Sequence, residues 1–409
     1  MANTVMIKSP FNRLVMGLVV FIALHNTASA EGMIDIKPYV SANATYDDNV
    51  FRFANAQQAS AAFGSPVTSD RILRTDIGVD AKVRLSRQLI KLSANINDNK
   101  YNRFSLLDNV GKSYSGNWNW RLGNDVFGEI GASKDVAIAG FTETRNPVRN
   151  TRITQRKFAN AVWQFQPDWA IRVNHENNES DNSVDSFHTL NRQSDVYETG
   201  LQYANTSGTQ IGLSYRNTTS TYANRTGFTL AQFGDENKQQ ELAVNMGYQP
   251  TAKTRLSGRV AQVKLDYKNI PQRAFNGLSE RINLDYALTA KTAFNFSIYK
   301  ELSAVEDVVS TYVETTGLSI NPSWSITGKL ILRGGMGFEK RNYLGSSGIS
   351  LVNTANRFDE SKTGNLSLIY LPTRKSLVQV SYIGERRTSN LSNLNYDDNT
   401  VSALFKYSF

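Results

Sequence analysis

Apolar and polar residues alternate along nearly the whole chain, from Tyr39 to Phe409. In one segment Ile211, Leu213 and Tyr215 occupy every second position, with polar residues or glycine between them. A period of two is that of a β-strand whose faces meet different environments. Each alternating segment runs for about ten residues, the length of a tilted strand that crosses a membrane. The chain is therefore predicted to be all-β.

Short turn signals and long polar stretches alternate between these segments. Eight turns and nine loops predict about 18 antiparallel strands, with both termini at the short-turn end. The turns are predicted at Ser86-Arg87, Gly123-Asn124, Pro167-Asp168, Ser207-Gly208, Pro250-Thr251, Thr289-Ala290, Asn321-Pro322 and Pro372-Thr373, and the loops at 49–71, 103–112, 137–152, 178–192, 222–237, 268–279, 303–310, 344–358 and 388–398.

An even number of alternating strands predicts a transmembrane outer-membrane β-barrel with both termini in the periplasm. Strands directed towards the short turns often end in an aromatic residue, such as Phe165, Tyr203 or Tyr248, as expected at a membrane interface. A soluble β-sandwich or propeller also alternates, but an aqueous exterior would not require an apolar face on every strand. A multi-span helical protein is excluded, because the one long apolar run, Leu14 to Leu24, is too short.

The first 30 residues have the pattern of a cleaved secretory signal peptide. Lys8 and Arg13 precede the apolar run, and Ala28-Ser29-Ala30 is a small-residue cleavage site. The alternative, a membrane anchor, would need a longer run. We expect residues 31–409 to form a single barrel in the outer membrane of a Gram-negative bacterium.

The last strand places Val401, Ala403, Phe405, Tyr407 and Phe409 on one face. An alternating strand that ends the chain in an aromatic residue is similar to the C-terminal signal of outer-membrane barrels. We predict that Phe405, Tyr407 and Phe409 form an insertion signal for the barrel-assembly machinery.

Composition excludes several kinds of chemistry. The chain has no Cys, which rules out disulfides, thiolate catalysis and Cys-bound metals. Its net charge of +9 is spread along the sequence without a basic tail, so nucleic acid is not an expected partner. His175 lies on the outward parity of its strand, which favours an interface residue over a general base. We predict no catalytic residue, no cofactor and no metal. Three acidic pairs could bind Ca²⁺, but none has EF-hand spacing, and solvated loop acids are the preferred interpretation. The pairs are Asp47-Asp48, Asp181 with Asp185, and Asp397-Asp398.

Strand parity predicts which polar residues line the lumen. The inward charges are ten cations against eight anions, which predicts a slight preference for anions; charges that only pair along the wall are an equal alternative. Side-chain amides on the same parity suit sugar hydroxyls, and also water. The predicted set is Asp76, Asp80, Lys82, Arg84, Lys91, Arg121, Glu129, Arg172, Glu198, Arg216, Glu241, Lys264, Asp266, Arg281, Asp285, Arg333, Glu339 and Lys406, with Asn95, Asn97, Asn117, Asn119, Asn174 and Asn283.

Three local features add hypotheses. Residues 53–70 form the longest loop and either extend outwards or fold inwards as a constriction. Alternation slips near Val260-Ala261, which predicts a β-bulge. Five cations near the outer rim, with only Glu143 close by, form a basic patch at which lipopolysaccharide phosphates or an acidic glycan could bind bidentately; rim cations without such a ligand are the alternative. Its residues are Arg145, Arg149, Arg152, Arg156 and Lys157.

The segment Pro38 to Arg52, with Tyr46-Asp47-Asp48-Asn49 near its end, resembles the start of β-barrel porins and, more narrowly, of EpsL-type outer-membrane proteins of exosortase-associated polysaccharide clusters. That resemblance implies export of an extracellular polysaccharide. Because only residues 31–37 precede the first predicted strand, separate periplasmic or inner-membrane export proteins would have to deliver the glycan. A general or small-solute diffusion porin has the same architecture and is the main alternative; an outer-membrane enzyme or a structural barrel is a third. A second Tyr-Asp-Asp-Asn, at 396–399, is interpreted as local turn chemistry or chance.

Overall fold

A computed structural model describes residues 33–271, 274–303, 312–344 and 357–409. These residues form 18 strands and two short helices, α1 (Ala56–Phe63) and α2 (Gly227–Phe233). The strands are β1 (Ile34–Asp47), β2 (Asp70–Leu85), β3 (Gln88–Tyr101), β4 (Asn109–Leu122), β5 (Val126–Ile138), β6 (Thr151–Gln166), β7 (Trp169–Asn182), β8 (Arg192–Ala204), β9 (Gln210–Thr221), β10 (Glu236–Thr251), β11 (Thr254–Tyr267), β12 (Phe275–Ala287), β13 (Thr292–Ser303), β14 (Tyr312–Ser325), β15 (Leu330–Leu344), β16 (Phe358–Tyr370), β17 (Ser376–Ser389) and β18 (Tyr396–Ser408).

The sheet closes on itself. Every strand pairs antiparallel with its neighbours in the chain, and β1 pairs with both β2 and β18. We call the β1–β18 pair the seam. The predicted 18-stranded antiparallel barrel is therefore confirmed. The predicted signal peptide, residues 1–30, lies outside the described residues, and the side of the membrane on which the termini lie stays a prediction.

The predicted turn at Asn321-Pro322 is wrong. β14 continues through both residues to Ser325, and the turn follows at 326–329. Pro322 pairs with Phe294 of β13, whereas the pairing with β15 omits positions 321 and 322. Proline has no N–H for a ladder, so the strand accepts it at the cost of a local gap in pairing. The first strand also begins earlier than expected, at Ile34.

The predicted β-bulge near Val260-Ala261 is absent from β11. Val260 pairs with Val244 and Ala261 with Ala243, and the register is continuous towards β12 as well. The slip in alternation has another cause: Ala261, Val263, Leu265 and Tyr267 all lie on the inward face, where they are buried. Apolar residues change faces here while the strand stays regular.

The outward face is apolar on essentially every strand. Its exposed residues include Leu92, Trp118, Leu213 and Phe405, and Phe409 remains 45% exposed beside Tyr407. Closure satisfies the backbone N–H and C=O groups within the sheet, and apolar side chains meet the lipid. A closed antiparallel barrel with this exterior is an outer-membrane protein of a Gram-negative bacterium. Among the described residues, no helix has the length and hydrophobicity to span a membrane.

The longer connections lie together at one end of the barrel and the tight turns at the other. Ser86, in the two-residue turn between β2 and β3, adopts φ 55°, and Gly123 adopts φ 62° in the next turn. The loop before β2 contains α1, and the loop before β10 contains α2. The predicted loops 303–310 and 344–358 fall almost wholly outside the described residues.

Cysteine labelling tests the orientation of this barrel. Asn146 is exposed in a long loop, and Lys253 is exposed in a short turn. We expect a membrane-impermeant maleimide on intact cells to label Asn146→Cys and to spare Lys253→Cys until the outer membrane is permeabilised. The chain has no native Cys to add background. Labelling at 253 but not at 146 would reverse the orientation.

Candidate functional site: a polar lumen crossed by a long loop

The polar face of the sheet is the lumen side, because groups from opposite parts of the wall meet across it. Glu143, in the loop between β5 and β6, reaches Arg341 of β15 and Arg387 of β17. Continuous cross-strand pairs also place Glu198, Arg216 and Glu241 on this face. Leu201, Leu213 and Val244 of the same strands point the other way and are exposed.

Parity placed nearly all of the predicted lumen residues on this polar face. Lys264 is a correction: with Asp266 it lies on the outward face near the end of β11, and the two form an ion pair of 2.8 Å. Because this removes one cation and one anion from the set of inward charges, the predicted excess of two inward cations is unchanged. The predicted residues found on the polar face are Lys82, Arg84, Lys91, Asn95, Asn117, Asn119, Arg121, Arg172, Asn174, Arg216, Arg281 and Asn283.

Many lumen charges are neutralised by neighbours on adjacent strands. Glu198 accepts from Arg216 at 2.7 Å, and Glu241 accepts from Arg259 at 2.6 Å and lies 3.9 Å from Arg216. Arg281 pairs with Glu301 at 2.6 Å. The Arg216–Glu198 and Arg281–Glu301 pairs are partly exposed and add little stability, whereas Glu241 is buried. All of these pairs reduce the net field that a solute would meet inside the barrel.

A cavity of about 600 Å³ opens on the polar face between β5 and β11. Arg172, Asn174 and Glu198 line it, as the sequence predicted for the lumen. Other polar residues that line the cavity were not predicted, although they have the same inward parity. They include Asn160, Gln202, Gln210, Ser214, Asn245, Arg255 and Ser257.

Residues 139–150, which we call the crossing loop, span the lumen near the long-loop end. Glu143 accepts from Arg341 at 3.2 Å and Arg387 at 3.3 Å, and lies 3.7 Å from Arg357. Arg145 donates to the carbonyl oxygens of residues 393, 394 and 395 beside the seam. Burial and the charge of Arg387 lower the pKa of Arg145 to about 10. The loop is therefore fixed to the opposite wall by the ion pairs of Glu143 and the hydrogen bonds of Arg145.

The wall that receives the crossing loop contains a buried ion cluster. Arg387 and Asp359 are 1% and 0% exposed and contact each other directly. Arg357 also pairs with Asp359, at 2.7 Å, and Arg387 donates to the Tyr343 hydroxyl. Buried charges are tolerable only when they are paired and hydrogen-bonded. Glu143 supplies the second carboxylate to this pair of arginines.

Five phenylalanines join the first loops into a phenylalanine cluster. Phe51 lies 4.6 Å from Phe141 and 4.9 Å from Phe104 between ring centroids. Phe53 and Phe63 complete the cluster, which packs against Tyr101 of β3. Helix α1 is capped by Asn55, and Gln58 donates to the carbonyl of Asn393. The 53–70 loop thus joins the crossing loop, which favours the inward alternative.

The predicted outer-rim residues do not form one patch. Arg145 is enclosed by carbonyls, and Arg149 donates to the Asp108 carbonyl at 3.1 Å. Arg152 and Arg156 face the lumen, where Arg156 pairs with Glu176 at 2.5 Å. Lys157 lies on the opposite face of the same strand. The prediction of one patch is wrong because residues close in sequence alternate between the two faces of β6, and because the loop before β6 folds inwards.

Two further side-chain groups bear on chemistry. His175 lies on the outward face, as parity predicted, and stacks on Tyr197 with centroids 4.4 Å apart. Asp47, Asp48 and Asp398 each place a carboxylate oxygen within 4.8 Å of the others. The interpretation of these acids as solvated is wrong for Asp47 and Asp398, which are buried.

Comparisons with known proteins give architectural likeness only. No protein-family model matches the chain, and no curated protein matches its sequence. The solved structures that resemble it include the outer-membrane proteins OpdK and OccK5 (OpdH) of Pseudomonas aeruginosa, each 10% identical, with TM-scores of 0.49 and 0.48. They cover 92% of this chain, which spans 99% and 98% of theirs. The siderophore receptor PirA of the same organism is 9% identical, with a TM-score of 0.45 and coverage of 91% and 80%. At this identity their names carry no information about what this barrel transports.

We expect Glu143→Gln to release the crossing loop. The change removes the carboxylate shared by Arg341, Arg357 and Arg387, and we expect a loss of roughly 1–3 kcal/mol in unfolding free energy. Single-channel conductance in planar bilayers should rise, and the temperature of heat-modifiability on gels should fall. Asp185→Asn, in another long loop and fully exposed, is the matched control. Unchanged conductance and stability in Glu143→Gln would contradict the anchoring role.

Lumen electrostatics give a second prediction. Arg84 and Arg121 lie on the polar face, whereas Arg386 lies on the outward face, 70% exposed. Replacing Arg84 and Arg121 together by Ser should shift the reversal potential towards cations. The shift should shrink at high salt, where the Debye length is about 3 Å at 1 M. Arg386→Ser should leave selectivity unchanged; an equal shift in both proteins would mean that surface charge, and not the lumen, sets it.

Proposed function

We propose that this barrel is a passive outer-membrane channel for an uncharged, hydrophilic glycan, and that it exports an extracellular polysaccharide. The observation that carries the proposal is the lumen cavity, whose amides and hydroxyls are interspersed with two cations, Arg172 and Arg255, and two anions, Glu129 and Glu198. Asn160, Asn174 and Asn245 offer donors and acceptors that match sugar hydroxyls. The pairs Arg216–Glu198 and Arg259–Glu241 leave little net charge beside them.

A lumen wall whose positive and negative charges balance suits a neutral glycan chain that must slide through the channel. A glycan that passes through a channel needs many weak contacts, because strong sites would hold it. Charges of both signs along the wall keep it hydrated and present no single-sign field that would select strongly by charge. The resulting selectivity is expected to be mild.

The polysaccharide itself comes from the resemblance around Tyr46 to Arg52. In the structure these residues have structural partners: Asn49 donates to the carbonyls of Phe53 and Asp397, and Arg52 pairs with Asp47 and Asp398. The resembling segment thus supports the seam and contributes no group to the lumen cavity. The uncharged, hydrophilic character of the glycan is inferred from the residues of the lumen wall. Its export is inferred from the resemblance.

Transport as a conduit implies partners that deliver the cargo. We include in the proposal separate periplasmic or inner-membrane polysaccharide export proteins, the barrel-assembly machinery and the lipopolysaccharide of the surrounding membrane. The crossing loop would have to move for a polymer to pass, because its ionic contacts reach from β5 to β17.

A general or small-solute diffusion porin is the second candidate. The specific observation in its favour is the pair of inward structures, the crossing loop and the phenylalanine cluster. Both narrow the path at the long-loop end, which suits small solutes better than a polymer.

A deletion strain separates the two functions. If the barrel exports a glycan, secreted polysaccharide should disappear, glycan should accumulate in the periplasm, and the intact gene should restore secretion. Complementation with Asp185→Asn is the control for expression. Normal secretion combined with lost uptake of a small solute would establish the porin alternative.

A further inference from the structure

The two Tyr-Asp-Asp-Asn segments, 46–49 and 396–399, meet at the seam. Asp48 N–H donates to the Asn399 carbonyl at 3.2 Å, and Asn399 N–H donates to Asp48 Oδ1 at 2.8 Å. Asn49 Nδ2 donates to the carbonyl of Asp397 at 2.9 Å. The repeat, interpreted from sequence as turn chemistry or chance, therefore forms one structure from both ends of the chain at one rim of the barrel.

Three carboxylates converge where the segments meet. Asp47, Asp48 and Asp398 each contribute an oxygen, and these oxygens lie within 4.8 Å of one another. Asp47 is 8% exposed and Asp398 only 2%. Buried carboxylates of like charge are costly unless a cation compensates them.

Arg52 compensates this group only in part. Its guanidinium lies 3.1 Å from Asp47 and 3.0 Å from Asp398, so three carboxyl groups face one guanidinium. Asp397 does not join the group, because it is 66% exposed and pairs with Arg386. Glu385, which is paired with Asp398 across the strands, adds further negative charge nearby.

One oxygen of the group has no partner. Asp398 Oδ2 forms an ion pair with Arg52 at 3.0 Å and accepts a hydrogen bond from the Thr400 hydroxyl at 3.3 Å. Asp398 Oδ1 is buried and has no hydrogen-bond partner among the described residues. A buried carboxylate oxygen without a donor needs another positive partner, because desolvation without a bond is unfavourable.

We propose that Asp47, Asp48 and Asp398 bind one Ca²⁺ ion at the seam. Ca²⁺ takes six to eight oxygen ligands at about 2.4 Å, so two of its ligands lie at most about 4.8 Å apart. The dication balances the charge that Arg52 leaves. Ca²⁺ accepts irregular oxygen geometry and water ligands at a rim, whereas Mg²⁺ demands a near-ideal octahedron.

The ion would join three parts of the molecule. Asp47 ends β1, Asp398 is the third residue of β18, and Asp48 leads into the loop that carries Phe51 and Phe53. Binding would stabilise barrel closure and the base of the phenylalanine cluster together. This role is independent of what the channel transports.

The test is Ca²⁺ titration of the folded full-length chain in detergent micelles. Calorimetry should show one Ca²⁺ bound per chain, and Ca²⁺ should raise the heat-modifiability temperature above that in chelator. Asp398→Asn should weaken binding by roughly tenfold or more. Asp397→Asn, the adjacent exposed acid, is the matched control and should bind as the unchanged chain does.

Absence of Ca²⁺ binding to the unchanged chain would overturn the proposal, and so would equal weakening by Asp397→Asn and Asp398→Asn. If Asp398→Asn does not fold, Asp48→Asn decides, because Asp48 is only partly buried. That variant should lose affinity while keeping its barrel circular dichroism; unaltered affinity would overturn the site. Stabilisation by Mg²⁺ as large as that by Ca²⁺ would contradict the assignment to calcium.

Discussion

Closure of the sheet is the constraint on which the rest of this structure depends. In hydrocarbon, no water can satisfy an unpaired backbone N–H or C=O group, so an open edge would be prohibitively costly. Pairing of β1 with β18 removes the last edge. Once the sheet is closed, alternation divides every strand between lipid and lumen, and all polar chemistry must lie inside or at the rims.

The interior shows how such a barrel fills its own space. Short turns leave one end simple, while loops at the other end fold back over the lumen and bind the far wall. The contacts of Glu143 with three arginines and of Arg145 with three carbonyls make the crossing loop part of the wall. The phenylalanine cluster gives the same loops an apolar centre that lipid does not reach.

The two-residue period was sufficient to predict the strands, because successive residues of each strand face lipid and lumen in turn. It gave the lumen position of Arg172 and Asn174 but failed for Lys264, since the rule assumes a wet lumen along the whole strand. Near the end of β11 the lumen side is covered by protein: Leu265 and Tyr267 pack with Ile270. The turn predicted at Pro322 is wrong because β14 continues through the proline with only a gap in its pairing with β15. The contact of Glu143 with Arg387 joins residues far apart in sequence, and no local pattern encodes it.

The seam also has a consequence for how the barrel folds. Asn399 bonds to Asp48 across nearly the full length of the chain, so the contacts that complete the sheet have the highest sequence separation among the described residues. Contacts of this kind form slowly, because a long loop must close before they form. Until β18 arrives, β1 presents an unpaired edge that can join another chain. The interval between the first hairpins and the arrival of β18 is thus the period in which this chain is most exposed to aggregation.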